Sequence, residues 1–330
     1  MKPKLALVGS GAIAPFHIEA ALAAGFEITA ITSSANSKSA LDLKEKFNIP
    51  RYFPFLDDLL GSSLFDCLSV MVQPDKISPL LEKLSLLSIP ILIEKPVAVS
   101  SNALEPFVEN KNLLVGYNRR FYSTISELRK NIEHKDGIFL FDIIESSESN
   151  FPSMKHLSNS IKTNSVHMID LMFFILGKHQ LSDFVYSPTN STLKCRILIN
   201  REYKGDLQIS FNSNKNTKIE FENDKIRIEV KPLESLQKFN NMKVIEPVAG
   251  KAFRSYVPYW SDENVPNVTQ EDGVYKPGFI EQYKEFKLFC ESGRNPENLA
   301  SLKDAQNALR HAEIIIEVYN SFMSDDVIVS

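Results

Sequence analysis

The segment Gly9-Ser10-Gly11-Ala12-Ile13-Ala14 constrains this chain more than any other. It follows the short apolar run Lys4–Val8 directly and opens an alanine-rich stretch, Ala14–Ala24, that suits a helix ending at Gly25. In a G-x-G-x-x-A turn the first glycine permits the tight bend and the second lets backbone approach a pyrophosphate. A small sixth residue lets helix and strand pack closely. The helix start then offers unbonded N–H groups and a positive dipole end to phosphate. The spacing therefore predicts a β-strand, a dinucleotide-binding turn and a helix within the first 25 residues.

The alternation continues. Glu27–Thr32, Cys67–Val72, Ile91–Ile93 and Leu113–Tyr117 are short apolar runs of strand character, with helical stretches at Ser37–Phe47 and Ile77–Leu87. Strands alternating with helices predict a parallel sheet covered on both faces. Near residue 120 the rhythm changes. Helices are expected at Ser123–Glu133 and Asn164–Leu176, and a strand at Ile138–Ser146. Strands then follow one another from Phe184 to Val230, an irregular loop from Asn240 to Lys276, and closing helices at Gly278–Glu291 and Ser301–Met323. Ser301 and Asp304 are spaced as a capping box for the last helix. A chain of 330 residues suits two cores rather than one. The expectation is an α/β protein with a doubly wound parallel Rossmann domain at 1–120. An α+β domain at 121–330 would follow, with an open, mixed, mostly antiparallel sheet.

Composition removes several classes. The net charge is -4 and the basic residues are scattered, so no nucleic-acid-binding surface is expected. No apolar run approaches the ~20 residues needed to span a bilayer. The N-terminus passes straight into a strand and shows no signal peptide, so the expected location is cytoplasmic with no membrane partner. Three cysteines, Cys67, Cys195 and Cys290, lie far apart in sequence without a CxxC spacing, which argues for reduced thiols and against structural zinc. No other histidine and acid cluster has ligand spacing, so no metal is expected.

Gly9, Gly11, Ala12 and Ile13 are assigned to the cofactor's pyrophosphate. The second strand ends in Thr32-Ser33-Ser34-Ala35-Asn36-Ser37-Lys38 and lacks the acid that would accept from an NAD ribose. Ser33 and Ser34 can donate to a 2′-phosphate and Lys38 can add charge, which favours NADP over NAD. Lys38 is alternatively a solvated residue at a helix start. Gln73 and Pro74, after the Cys67–Val72 strand, and Glu94 and Lys95, after the Ile91–Ile93 strand, join the cofactor set at the carboxyl edge, where ligands of such sheets sit.

Glu94-Lys95-Pro96, Gly116-Tyr117-Asn118-Arg119-Arg120-Phe121 and His167-x-x-Asp170 follow the glycine turn in that order, and Pro277-Gly278-Phe279 precedes a late helix. Together these elements resemble the glucose-fructose oxidoreductase and inositol dehydrogenase (Gfo/Idh/MocA) family over nearly the whole chain. The resemblance implies hydride transfer between NAD(P) and a secondary alcohol or ketone of a sugar, cyclitol or sugar nucleotide. It implies Lys95 and His167 as catalytic residues, a cis bond before Pro96, and a homo-oligomer, dimer or tetramer. Asp170 lies one turn from His167 and is either a site residue or a structural partner, and His17 is expected to be structural. Arg119, Arg120 and Tyr122 follow the domain boundary and are expected to line the cleft or to form interdomain salt bridges. Thr163, Asn164 and His167 are expected at the substrate with Lys95, Arg119 and Tyr122.

One departure bears on the chemistry. Thr163 stands where the family carries Asp, and Ser165 where it carries glycine. Threonine donates or accepts a hydrogen bond but cannot supply negative charge to Lys95 or His167. The competing expectation is therefore a non-catalytic nucleotide-binding sensor or interaction protein of the same fold.

Overall fold

The computed structural model describes residues 2–133, 136–145, 158–211, 213–248, 254–260, 275–294 and 296–325. The chain divides into two compact units. The first takes in Met1–Phe121, Ile169–Leu171 and Gln270–Ile314, and the second Tyr122–Met168, Met172–Thr269 and Ile315–Ser330.

In the first unit the apolar runs form parallel strands β1 (Lys4–Val8), β2 (Glu27–Thr32), β3 (Arg51–Phe53), β4 (Cys67–Val70), β5 (Ile91–Ile93) and β6 (Leu113–Val115). Their order is β6-β5-β4-β1-β2-β3, and the short strand Ala300–Ser301 pairs antiparallel with β6 at the edge. Strand order reverses at β1, which pairs with both β2 and β4. That reversal is the switch point at which a doubly wound sheet opens a crevice beyond its carboxyl edge. Helices α1 (Ala14–Ala23), α2 (Lys38–Lys46), α3 (Leu56–Leu60) and α4 (Pro74–Ser85) connect the strands. α1 buries Ala14, Ile18 and Ala21 in a core shared with Leu5, Leu7, Phe26 and Ile31. Small alanines bring this helix close to the sheet, as the glycine spacing requires.

The second unit holds the helices α5 (Ser123–Ile132) and most of α6 (Val166–Leu176). Late in the chain come α7 (Phe279–Ser292) and α8 (Leu302–Asp325). α7 packs on α1 in the first unit, where Phe26 stacks on Phe286 at 5.8 Å. Ser301 and Asp304 form the expected box at the start of α8: the Asp304 amide donates to Ser301 Oγ at 3.2 Å and the Ser301 amide to Asp304 Oδ2 at 2.8 Å.

The sheet of the second unit comprises β7 (Ile138–Glu145), β8 (Gln180–Ser187), β9 (Thr192–Ile199), β10 (Glu202–Phe211), β11 (Lys218–Glu222), β12 (Arg227–Val230), β13 (Leu236–Ile245) and β14 (Ser255–Trp260). Their order is β14-β13-β12-β11-β7-β10-β9-β8, with β7 and β10 parallel and the other pairs antiparallel. One face is apolar: Phe139, Phe141, Ile143, Leu207, Ile209, Ile219, Phe221 and Ile228 are buried. α5 packs against β12. On β11 and β12 the opposite positions are polar, and there Lys218 Nζ and Arg227 Nε each approach Glu220 to 2.9 Å. The irregular loop expected from Asn240 is corrected by β13 and β14, which pair through residues 239–245 and 255–260. Backbone pairing with a neighbouring strand carries these segments where side-chain alternation is weak. Residues 249–253 and 261–274 of that stretch lie outside the described residues.

Candidate active site

The glycine turn has the geometry its sequence demands. Gly9 has φ 110°, and its N–H donates to the Thr32 carbonyl at 2.8 Å. A Cβ there would lie 2.5 Å from the Met71 carbonyl oxygen, so only glycine fits between β1 and the β4 exit. Gly11 is the reverse case: a Cβ built on it meets nothing within 4 Å. The open side of Gly11 is where backbone stands clear for a ligand. Helix α1 begins just beyond, with Ile13 at its N-cap and no side chain capping it. The Ala14 and Phe16 amides donate to the Gly11 and Ile13 carbonyls at 2.9 and 3.1 Å, so the open space at Gly11 and the positive end of the helix dipole are what fit a dinucleotide pyrophosphate held by Gly9–Ile13.

Beside this turn lies a hydroxyl cluster that sequence reasoning only half found. Ser10 Oγ lies 3.0 Å from Ser33 Oγ, 3.2 Å from Ser37 Oγ and 2.8 Å from Ser39 Oγ. Ser37 caps α2 by accepting from the Ala40 amide at 3.3 Å, and Lys38 is the exposed first residue of that helix. Ser34 is exposed, and its carbonyl accepts from the Tyr52 hydroxyl at 2.8 Å. The signal for Ser37 was its N-cap position, whereas Ser10 and Ser39 enter only through folding. Gln73 is exposed at the N-cap of α4, and Pro74 follows as the first helical residue.

Glu94 and Lys95 leave the end of β5, and the Lys95–Pro96 bond is cis. Lys95 is half-buried. The Glu94 carboxylate is engaged by protein: His17 Nε2 stands 2.9 Å from Oε1. His17 Nδ1 lies 2.8 Å from the Tyr283 hydroxyl, which lies 2.7 Å from Ser69 Oγ. The Ser69 and Tyr283 hydroxyls and His17 Nδ1 thus form one hydrogen-bonded run, and Nε2 on the far side of the ring faces the Glu94 carboxylate. Burial pushes the Tyr283 phenol well above its ordinary pKa, which keeps it a donor. The chain Ser69–Tyr283–His17–Glu94 ties β4, α7 and α1 to the residue preceding Lys95. His17 is thus structural, as expected.

Arg119 is half-buried and Arg120 is buried. Arg120 makes a bidentate pair with Asp170 inside the first unit, with Nε to Oδ2 at 2.8 Å and Nη2 to Oδ1 at 2.6 Å. Burial alone would lower the Arg120 pKa, and the Asp170 carboxylate outweighs it and raises the value. Asp170 is therefore the structural partner of Arg120. Of the two expectations for Arg120, lining a cleft or forming a salt bridge between domains, the structure shows a salt bridge, made within the first unit.

Tyr122, Thr163, Asn164 and His167 belong to the second unit. Tyr122 is buried at the N-cap of α5. His167 is 8% exposed and is the second residue of α6. One π-helical turn, Ile161–Ser165, precedes it, so the expected helix start at Asn164 falls within that turn. Thr163 Oγ1 donates to the Asn159 carbonyl at 2.8 Å, and exposed Asn164 Nδ2 donates to Ser160 Oγ at 3.4 Å. Ser160 and Ser165 both donate to the buried carboxylate of Glu145 at the end of β7. Glu145 had no signal in the sequence, because nothing there pairs a strand-end acid with serines 15 and 20 residues on. Among the described residues no group of three or more His, Cys, Asp or Glu is placed to hold a metal ion. No helix among them is long and apolar enough to cross a membrane.

Residues 4–114 match the oxidoreductase family with an NAD-binding Rossmann fold, Gfo/Idh/MocA. The chain is 24% identical over 201 residues to an inositol 2-dehydrogenase of Corynebacterium glutamicum, a match spanning 58% of this chain and 59% of that one. Two solved structures share the fold. A myo-inositol dehydrogenase from Lactobacillus casei, in complex with NAD(H) and myo-inositol, superposes with TM-score 0.70 at 15% identity, covering 95% of this chain and 93% of that one. A UDP-N-acetylglucosamine 3-dehydrogenase from Acidithiobacillus ferrooxidans gives TM-score 0.69 at 15% identity, covering 96% and 97%. The glycine turn, the strand order around β1 and the matched segment agree: residues 4–114 carry the NAD-binding Rossmann fold that the Gfo/Idh/MocA oxidoreductase family model describes.

Proposed function

We propose that the protein is an NAD(P)-dependent dehydrogenase or reductase acting on a secondary alcohol or ketone of a sugar, cyclitol or sugar nucleotide. The observation that carries this reading is the placement of Glu94-Lys95-Pro96 at the carboxyl end of β5, on the same sheet edge as the Gly9–Ile13 turn after β1. The inositol and UDP-sugar dehydrogenases that share the fold support the substrate class. Residues 1–120 would bind the cofactor, and residues 121–330 would supply substrate contacts and subunit contacts of a homo-oligomer, dimer or tetramer, in the cytoplasm.

NAD(P), when bound, accepts or returns the hydride. Gly9 makes the turn that brings the pyrophosphate to the backbone, and the N–H groups of Gly11, Ala12 and Ile13 hold it. Ser33, Ser34 and Lys38, joined by Ser10, Ser37 and Ser39, supply donors for a 2′-phosphate, so NADP is preferred over NAD. Gln73, Pro74 and Glu94 border the rest of the cofactor. Lys95 hydrogen-bonds the reacting oxygen and favours its alkoxide character as the C–H bond breaks. His167 takes the hydroxyl proton in oxidation and returns it in reduction. Arg119, Tyr122, Thr163 and Asn164 contact the substrate's other hydroxyls.

A non-catalytic cofactor-binding protein is the second reading, favoured by Thr163, which brings no carboxylate to the turn before His167. Titration of the purified protein with NADPH and NADH, followed by nicotinamide fluorescence, tests the cofactor assignment. Tighter NADPH binding, weakened by Ser33→Ala and Lys38→Ala, is expected. Tighter NADH binding overturns the 2′-phosphate assignment, and binding of neither overturns the dehydrogenase reading.

A further inference from the structure

We propose that Cys67 and Cys290 form an oxidisable dithiol, a modification site at which a hydroperoxide converts two thiols into a disulfide joining β4 to α7. Their separation in sequence hides the pair, and the fold brings them together in the first unit. Cys67 is fully buried at the start of β4, where its thiol donates to the Lys4 carbonyl at 3.5 Å and has the Cys290 thiol as its neighbour on α7. Cys290 packs against the core cluster that contains Cys67, yet it remains partly exposed near the end of α7.

An independent contact fixes the same register. Cys67 and Ser69 share one face of β4, roughly 6.6 Å apart along the strand. Tyr283 and Cys290 are seven residues apart and share one face of α7, roughly 10.5 Å apart along the helix. The Tyr283 hydroxyl lies 2.7 Å from Ser69 Oγ. Gln282 lies beside Gly116 after the end of β6 and Lys287 beside Gly25 before the start of β2, so from Tyr283 at Ser69 α7 runs back against the strand direction, toward the Cys67 end of β4.

The two sulfurs differ in access, which orders the chemistry. Cys290 is the partly exposed residue of the two, and its Sγ takes the first step. It attacks hydrogen peroxide, the O–O bond breaks, and a sulfenic acid forms as one water leaves. Cys67 Sγ then attacks Cys290 Sγ: the S–O bond breaks, the S–S bond forms, and a second water leaves with the Cys67 proton. Two thiols lose two hydrogens and two electrons, and the peroxide is reduced to two waters. Contact with Cys290, then burial, push the Cys67 thiol well above its ordinary pKa, so Cys67 attacks only as its proton passes to the hydroxyl departing from Cys290. Cys195 is a spectator: it lies buried in β9 of the second unit, where burial and Asp206 push its thiol up to about 12.

The test treats the folded full-length protein with hydrogen peroxide, quenches it with acid, alkylates it in denaturant and digests it for non-reducing mass spectrometry. The expected product is one cross-linked peptide pair, Cys67 with Cys290, released by dithiothreitol and unchanged in Cys195→Ala. Cys290→Ser, checked for native circular dichroism, gives no cross-link and leaves Cys67 alkylated. Recovery of all three cysteines as alkylated thiols overturns the proposal. So does Cys290 recovered as sulfinic or sulfonic acid beside an alkylated Cys67, or a cross-link joining two copies through Cys290.

Discussion

Replacing Gly9 and Gly11 separately by alanine divides folding from binding at the turn, because the two glycines are present for different reasons. At Gly9 the added methyl meets the Met71 carbonyl oxygen at 2.5 Å, on a residue with φ 110°. The backbone conformation costs an L-residue about 1–2 kcal/mol. Moving the turn off a backbone atom that cannot yield adds about 1–3 kcal/mol. Gly9→Ala should therefore destabilise the protein by roughly 2–5 kcal/mol, read from urea unfolding. At Gly11 the methyl meets nothing within 4 Å and the backbone is outside the left-handed region. Gly11→Ala should leave stability unchanged or raise it by about 0.4–1 kcal/mol through the unfolded chain. The same methyl fills the space beside the helix start. Losing one N–H contact to a phosphate costs about 1.5–3 kcal/mol, roughly 10- to 150-fold in Kd for NAD(P)H by fluorescence titration. A Gly11→Ala protein that binds as tightly as wild type refutes the fit of the pyrophosphate to this turn. A Gly9→Ala protein of wild-type stability refutes the steric reasoning.

Two further consequences concern the framework. Asp170→Ala leaves the buried Arg120 guanidinium with only the partly exposed Asp304 carboxylate, 3.7 Å from Nη1, and should cost about 3–5 kcal/mol in urea unfolding, whereas the double change Arg120→Met/Asp170→Leu should recover most of that loss; equal costs for the single and double variants would contradict it. His179 is buried against Phe173, and burial lowers its pKa although the Gly177 carbonyl, 2.9 Å from Nδ1, opposes this. The folded protein therefore holds this ring neutral, so its contribution is full above the unfolded value of about 6.5 and is lost as pH falls through the lower folded value. Urea midpoints measured across that window should fall more steeply for wild type than for His179→Gln.

The first unit was legible because its signals are local. Continuous apolar runs such as Cys67–Val70 mark strands buried on both faces, and Gly9 marks a turn that no other residue fits. The capping box at Ser301 and Asp304 is likewise set by neighbours in sequence. What escaped is what folding alone decides. The strand Leu236–Ile245 carries Gln237, Lys238, Asn240 and Asn241 with little alternation, and Pro258 interrupts its partner, so pairing rather than pattern defines that edge. Arg120 and Asp170 sit 50 residues apart, and their bidentate geometry appears only when α6 is in place. The Ser69–Tyr283–His17–Glu94 chain joins four distant segments and has no counterpart in spacing. The fold-level expectation of a mixed, mostly antiparallel second sheet agrees with the single parallel pair among its described strands.

Lys95 is where the central claim is most exposed. The decisive measurement compares wild type with Lys95→Met in two assays on the same preparations: NADPH binding by fluorescence, and formation of reduced nicotinamide with a panel of sugars, cyclitols including myo-inositol, and UDP-sugars. The account predicts turnover by wild type on at least one substrate and a kcat lower by about 10²–10⁴-fold in Lys95→Met, with NADPH affinity nearly unchanged. Undiminished turnover by Lys95→Met would remove the lysine from the chemistry, and NADPH binding without turnover on any substrate by wild type would contradict the dehydrogenase assignment itself.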